Sequence, residues 1–268
     1  MGKWKKWLSA GLFTAMLGTA IIAGPTADVS ANAGNKPYNI ENVSPDAQLA
    51  PSVGDSSSKT SSKAWHKIDG VCYNGSGKKV EGAITRGMDV SEWQGKINWK
   101  EAKKDLDFAF VRISYGTRHL DDYYDYNMTE AEAADVPVGT YVYSLAKTNK
   151  EALAEAQLAI RQMQGHKVSY PVAFDLEDEA TLGTLTRKEI SQIALTFCDE
   201  IRKAGYTPIL YMNLNWYNNF VDWNVLEGSG LDVWIASYGD TIFAPSTSKY
   251  KYTIWQCTAG DEVPGMIS

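Results

Sequence analysis

Two rhythms alternate along residues 82–268. Short apolar runs at 88–90, 108–113, 138–143, 172–174, 208–212, 233–236 and 252–255 have the length of strands, and most are bounded by Gly, Pro, Asn or Asp. Between them lie longer stretches with helical spacing. Residues 98–105 begin at Asn98, a good N-cap, and 122–134 follow the second strand. Residues 150–164 are rich in Ala, Leu, Glu and Gln and stop at Gly165. Residues 186–204 open on Thr186 with Glu189 three places on, a capping-box pattern, and end at Gly205. A last helix is expected over 216–226. Strands that alternate with helices predict an α/β fold with a mostly parallel sheet, and seven short strands suit a small or incomplete β/α barrel of the TIM-like kind.

The N-terminal third has a different texture. Lys3, Lys5 and Lys6 precede an apolar run from Trp7 to Ala23, which Gly24-Pro25 breaks; Ala31-Asn32-Ala33 then offers a small-x-small cleavage site. Residues 1–33 therefore read as a secretory signal peptide, with a retained anchor as the alternative; cleavage after Ala33 places the mature protein outside the cytoplasm with no membrane attachment. Residues 34–64 are dominated by Ser, Asp, Pro, Asn and Gly and read as a disordered linker, because so little apolar surface cannot offset the entropy of ordering the chain. Residues 65–81 form a short hairpin-like lead-in, with Asn74-Gly75-Ser76-Gly77 as its turn, and the main domain occupies 82–268.

Composition narrows the function classes. The chain carries a net charge of −6 together with 9 Trp and 15 Tyr. An acidic protein lacks the basic patches of nucleic-acid binders, whereas surplus aromatics suit a core or the C–H faces of sugar rings. The three cysteines, Cys72, Cys198 and Cys257, have no C-x-x-C spacing, which argues against a zinc site; Cys198 and Cys257 read as buried thiols, and the odd count leaves at least one free thiol or an intermolecular bridge. The three histidines, His66, His119 and His166, have no ligand spacing either, so no metal and no cofactor is expected.

The chemistry concentrates at strand ends. The segment Tyr170-Pro-Val-Ala-Phe-Asp-Leu-Glu-Asp178 is a buried strand that finishes in acid. Residues i and i+2 of a strand share a face, which sets Asp175 and Glu177 side by side, roughly 6.5–7 Å apart at the backbone. Two such carboxylates repel, and relief comes when one keeps its proton near neutral pH. A protonated acid beside an ionised one is what cleavage of a glycosidic bond needs. A strand ending in a solvated acidic loop would show the same letters. Asp89 also stands at the C-terminal end of a strand, where β/α folds gather their sites.

Several stretches together resemble the family 25 glycoside hydrolases, lysozymes that cut peptidoglycan between N-acetylmuramic acid and N-acetylglucosamine. They are Arg86-Gly-Met-Asp-Val-Ser-Glu-Trp-Gln-Gly95 with Ile97-Asn98-Trp99, the strand at 108–116, the D-x-E strand at 170–178, Leu231-Asp-Val-Trp-Ile-Ala236, Tyr252-Thr-Ile-Trp-Gln256 and the turn Val263-Pro-Gly265. The resemblance runs from about Arg86 to Ile267. It implies a flattened β/α barrel with an acidic groove, Glu177 as general acid, Asp175 as partner carboxylate and Asp89 as a third acidic member. The partner either attacks the sugar or steers the substrate's own acetamido group into attack. Tyr143, Tyr211, Trp234 and Gln256 are candidates to line the groove, with core packing as the alternative. The expected protein is thus a secreted, cell-wall-associated, monomeric and metal-free retaining muramidase acting on peptidoglycan glycan strands. Members of the family usually continue past the Val-Pro-Gly turn into a further short strand with another Asp. The chain stops at Ser268, so a fragment, or loss of that carboxylate with an unpaired sheet edge, is expected.

Two rivals share these residues. A wall-polysaccharide-binding barrel would keep the groove and bind without cleaving. A metal-dependent hydrolase would use the acidic cluster as oxygen ligands and lose activity on chelation.

Overall fold

The computed structural model describes residues 18–23, 65–238 and 250–258. In chain order the elements are β1 (Gly18–Ala23), a hairpin of β2 (His66–Ile68) and β3 (Val71–Tyr73), β4 (Ala83–Val90), α1 (Trp99–Ala102), β5 (Phe108–Tyr115), β6 (His119–Leu120), α2 (Tyr124–Ala133), β7 (Val138–Tyr143) and α3 (Asn149–Met163). Then follow β8 (Val172–Asp175), α4 (Glu179–Leu182), α5 (Arg187–Lys203), β9 (Pro208–Asn213), α6 (Leu214–Asn219), α7 (Trp223–Leu226), β10 (Asp232–Ala236) and β11 (Ile254–Thr258). Seven strands, β4, β5, β7, β8, β9, β10 and β11, pair in that order and all in parallel. They form the incomplete TIM-like barrel that the strand–helix alternation predicts.

Between the first and last of these, β1 pairs antiparallel with both β4 and β11. The edge expected to be unpaired is therefore occupied by a segment of the N-terminal apolar run. The rest of the expected leader and the expected linker at 34–64 lie outside the described residues, as does the Val263-Pro-Gly265 turn.

Period-two alternation divides the strand residues into two cores. Outward residues such as Ala109, Val111, Ile113, Val142, Phe174 and Leu210 pack with the helices. Phe108, Phe110, Tyr141, Ala173, Ile209, Tyr211, Trp234, Ala236 and Ile254 form a separate interior cluster. Within it Phe108 stacks on Tyr170 at 4.8 Å, and Trp234 meets Phe110 at 4.5 Å and Tyr211 at 4.6 Å. Gly87 and Gly139 make room for this layer. A Cβ on Gly87 would lie 2.4 Å from the Phe108 ring, and one on Gly139 would lie 2.6 Å from the Phe110 ring.

The strand that carries the acidic pair is held from outside by α5. Its buried residues Ile190, Ile193, Ala194, Phe197, Cys198 and Ile201 recur at helical spacing, and Phe197 stacks on Phe174 of β8 at 4.2 Å. The Thr186–Glu189 capping box starts α5 as the sequence predicts.

Several boundaries differ from expectation. The helix expected over 216–226 is two short helices, because Asp222 caps a new start at α7 by accepting from Asn224 N–H. The last strand begins at Ile254 rather than at 252. The lead-in hairpin turns at Asp69-Gly70, both in the left-handed region at φ 49° and 80°, while the Asn74–Gly77 turn leads to a single bridge between Tyr73 and Lys79. The hairpin is part of the main core. Trp65 is buried edge-on against Trp255 at 5.4 Å, and Lys67 pairs with Asp107 at 2.7 Å. Cys198 and Cys257 are buried free thiols, as expected, and so is Cys72. No helix among the described residues is long and apolar enough to cross a membrane.

Candidate active site

The backbone of β8 continues extended one residue beyond its formal end, since Leu176 N–H donates to the Tyr211 carbonyl at 2.9 Å. Leu176 turns outward into the helix-side core, so its neighbours Asp175 and Glu177 turn inward together. The acidic run that follows is a helix start. Asp178 caps α4 by accepting from Thr181 N–H, which corrects the simple picture of a solvated loop. Asp175 is fully buried and Glu177 keeps part of its surface accessible.

Asp89 reaches the same interior from β4. Gln256 Nε2 donates to Asp89 Oδ2 at 2.8 Å, and the Gln256 Oε1 accepts from the hydroxyls of Tyr211 at 2.8 Å and Tyr238 at 2.9 Å. The amide thus joins β4, β9, β11 and the chain after β10. Burial and then the Glu177 and Asp89 charges push Asp175 well above the usual carboxylate range, against the opposing pull of Arg112. Burial, with Asp89 and Asp178 behind it, pushes Glu177 up to about 8. Burial likewise raises Asp89 to about 7, against the stabilising Gln256 amide. Both members of the Asp175–Glu177 pair thus hold a proton more tightly than an ordinary carboxyl does. Asp89 Oδ1, Asp175 Oδ1 and Trp234 Nε1 are buried without a hydrogen-bond partner among the described residues. Orphaned polar atoms around a site need water or a ligand to complete them.

The four groove candidates separate. Tyr143 keeps accessible surface at the end of β7, its hydroxyl donating to Asp178 Oδ2 at 3.3 Å. Tyr211, Trp234 and Gln256 are buried: Trp234 belongs to the aromatic interior, and Tyr211 and Gln256 to the hydrogen-bond network under Asp89. The structure also brings in residues that the sequence reading passed over. Tyr238, 43 % exposed, closes on Gln256. Arg112 lies in an ion-pair network with Asp121 and Glu92, each at 2.9 Å, and faces Asp175. Its signal was present: in Phe-Ala-Phe-Val-Arg-Ile113 the arginine falls in phase with the inward Phe108 and Phe110. No three His, Cys, Asp or Glu side chains group as metal ligands among the described residues.

This arrangement places carboxyl groups of raised proton affinity at the C-terminal ends of parallel strands, where a groove-bound substrate would meet them. Lysozyme M1 of Streptomyces globisporus is 25 % identical over 191 residues, covering 68 % of this chain and 64 % of that protein. The uncharacterized protein YegX of Escherichia coli K12 is 25 % identical over 194 residues, covering 67 % of this chain and 65 % of that protein. The chain thus spans just under two thirds of the length of these relatives. The fold is shared with the modular autolysin LytC of Streptococcus pneumoniae, solved with a synthetic peptidoglycan ligand (TM-score 0.61, 22 % identity, 76 % of this chain and 50 % of that one). It is shared also with a family 25 glycosyl hydrolase of Bacillus anthracis (TM-score 0.57, 22 % identity, 76 % and 85 %). The model of glycosyl hydrolases family 25 matches residues 88–266, which include Asp89, Asp175, Glu177 and every strand from β5 to β11, and the chain belongs to that family.

Proposed function

We propose that this protein is a secreted lysozyme that hydrolyses the β-1,4 bond between N-acetylmuramic acid and N-acetylglucosamine in peptidoglycan, with retention of configuration and without a metal. The observation that carries this reading is the pairing of Asp175 and Glu177 on the inward face of β8, where burial and neighbouring carboxylates raise the proton affinity of both. Glu177 is the partly accessible member and donates its proton to the glycosidic oxygen as the C–O bond breaks. Asp175 faces the positive charge that develops on the sugar; burial and the Glu177 and Asp89 charges oppose its ionisation, and Arg112 pulls the other way. Asp175 either bonds to the anomeric carbon or orients the substrate's acetamido oxygen to do so. Water then adds to the anomeric carbon as the bond to Asp175 or to the acetamido oxygen breaks, and it gives its proton to the Glu177 carboxylate, restoring the acid. Asp89, fixed by Gln256, adds to the negative field of the floor. Tyr143 and Tyr238 supply accessible aromatic edges beside the acids.

The relatives' names support the substrate class, as does the peptidoglycan ligand of LytC. The apolar run that follows Lys3, Lys5 and Lys6 supports export; its residues 18–23 form β1 in the uncleaved chain, so cleavage after Ala33 would uncover the facing edges of β4 and β11, and the protein is expected to act as a monomer at the cell wall. Reducing-end release from purified peptidoglycan tests the assignment. Glu177→Gln should lower turnover by about 10²–10⁴-fold, the usual range for loss of a general acid, while leaving binding to the wall intact. Asp175→Asn should also abolish most turnover, and EDTA should change nothing. Turnover retained in Glu177→Gln would remove this residue from the acid's role, and loss of turnover in EDTA would overturn the metal-free mechanism.

A further inference from the structure

Asp178, next in sequence to Glu177, is held by more than its helix-capping bond. Its Oδ1 accepts from Thr181 N–H at 2.7 Å, and its Oδ2 accepts from the hydroxyls of both Tyr115 and Tyr143 at 3.3 Å each. The two tyrosines are register partners at the ends of β5 and β7, and their rings stack at 4.8 Å with 19° between planes. Tyr143 is in turn the register partner of Asp175. One carboxylate thus ties three neighbouring strand ends together immediately beside the proposed acid. Capping a four-residue helix requires only the Thr181 bond and leaves the double tyrosine clamp without a purpose.

We propose that Asp178, anchored by Tyr115 and Tyr143, is a positioning residue for Glu177, fixing a negative charge where it keeps the Glu177 carboxyl in its proton-donating form. The inference rests on the lysozyme reading for its role in turnover, although the charge arrangement itself does not. The groups that face Glu177 are Asp89 from β4, Asp175 from β8, Tyr143 from β7, Tyr211 from β9 and Tyr238 after β10, with Asp178 at the head of α4; Arg112 of β5 faces Asp175. Besides burial, the groups that raise Glu177 most are Asp89 and Asp178. The clamp stays intact across the working pH range, because burial and the Asp178 charge push the Tyr115 hydroxyl up to about 12, and burial with Glu177 holds the Tyr143 hydroxyl well above its ordinary value.

Asp178→Asn tests this in the full chain, since asparagine keeps the cap through its Oδ1 and the side-chain shape, while it removes the charge and sets an NH2 donor where Oδ2 accepts from the two tyrosine hydroxyls. Two readouts are needed: the titration midpoint of Glu177 by carbon-13 carboxyl NMR, which requires no turnover, and the alkaline limb of the pH–rate profile on peptidoglycan. Both should move to lower pH by about one unit, the lower end of what a neighbouring like charge produces. Tyr115→Phe leaves the cap untouched and should move both in the same direction by less; it decides the matter if the asparagine variant does not fold. Wild-type midpoints and limbs in both variants would overturn the proposal and reduce Asp178 to a helix cap. A shifted NMR midpoint in a protein that releases no reducing ends would uphold the charge arrangement and overturn the lysozyme reading instead.

Discussion

Glu177 in an unfolded chain would titrate at 4.5, whereas in the fold burial and its neighbours Asp89 and Asp178 raise it to about 8. Between those values the native state binds more protons than the unfolded state, so stability falls as pH rises. The contribution of this group is complete below the unfolded value and is lost as pH passes through the folded one. Asp89, raised from 3.8 to about 7, acts in the same direction. Glu177→Gln cannot ionise, so its melting temperature should exceed that of the wild type at pH 9, with the gap closing toward pH 4. Calorimetry across that range checks it; equal melting temperatures throughout would mean that Glu177 is not held protonated by the fold. At this scale the sequence was informative where one strand carried the signal. Asp175 and Glu177 were legible because period-two geometry alone sets them side by side, and Arg112 could have been found by the same phase argument. The Gln256–Asp89 bond joins residues 167 positions apart and depends on β1 and β11 closing toward β4, which no local pattern encodes.

At the scale of elements, the lead-in hairpin is the main departure from the sequence reading. It looked like a transition before the domain, yet Trp65 is 6 % exposed and packs edge-on against Trp255 of β11. Asp107 adds a polar fastening, accepting from Lys67 Nζ and from Arg86 N–H of β4 at 2.7 Å. Trp65→Ala should therefore cost about 3–5 kcal/mol, as for other buried tryptophans, measurable by urea unfolding; a cost near zero would make the hairpin an appendage. The elements read most accurately were those with strong local punctuation: β7 matches its expected range, and α5 begins at its capping box. The region 216–226 misled because its apolar spacing is helical throughout, while the break comes from Asp222, whose side chain competes with the preceding helix by capping the next. The cap at Asp178 was hidden for a related reason: in a run of four acids among five residues, no letter marks which one turns to the backbone.

For the whole molecule, the barrel spends its strand faces unequally. One interior layer is aromatic and closely packed around Trp234, and glycines 87 and 139 are required by its bulk. Beyond it the interior carries Asp89 and Asp175, buried, and Glu177, partly buried, at a cost in stability that a purely structural core would avoid. That cost is the reason to read the acids as a working site, and membership of glycosyl hydrolases family 25 gives the chemistry they would perform. The measurement that tests this most directly is borohydride reduction of peptidoglycan after digestion by the purified protein, followed by identification of the reduced sugar. The account predicts muramitol at the new ends, formed by Glu177→Gln at least about a hundredfold more slowly. Glucosaminitol in place of muramitol, or no new ends from a folded wild-type protein that still binds the wall, would contradict it.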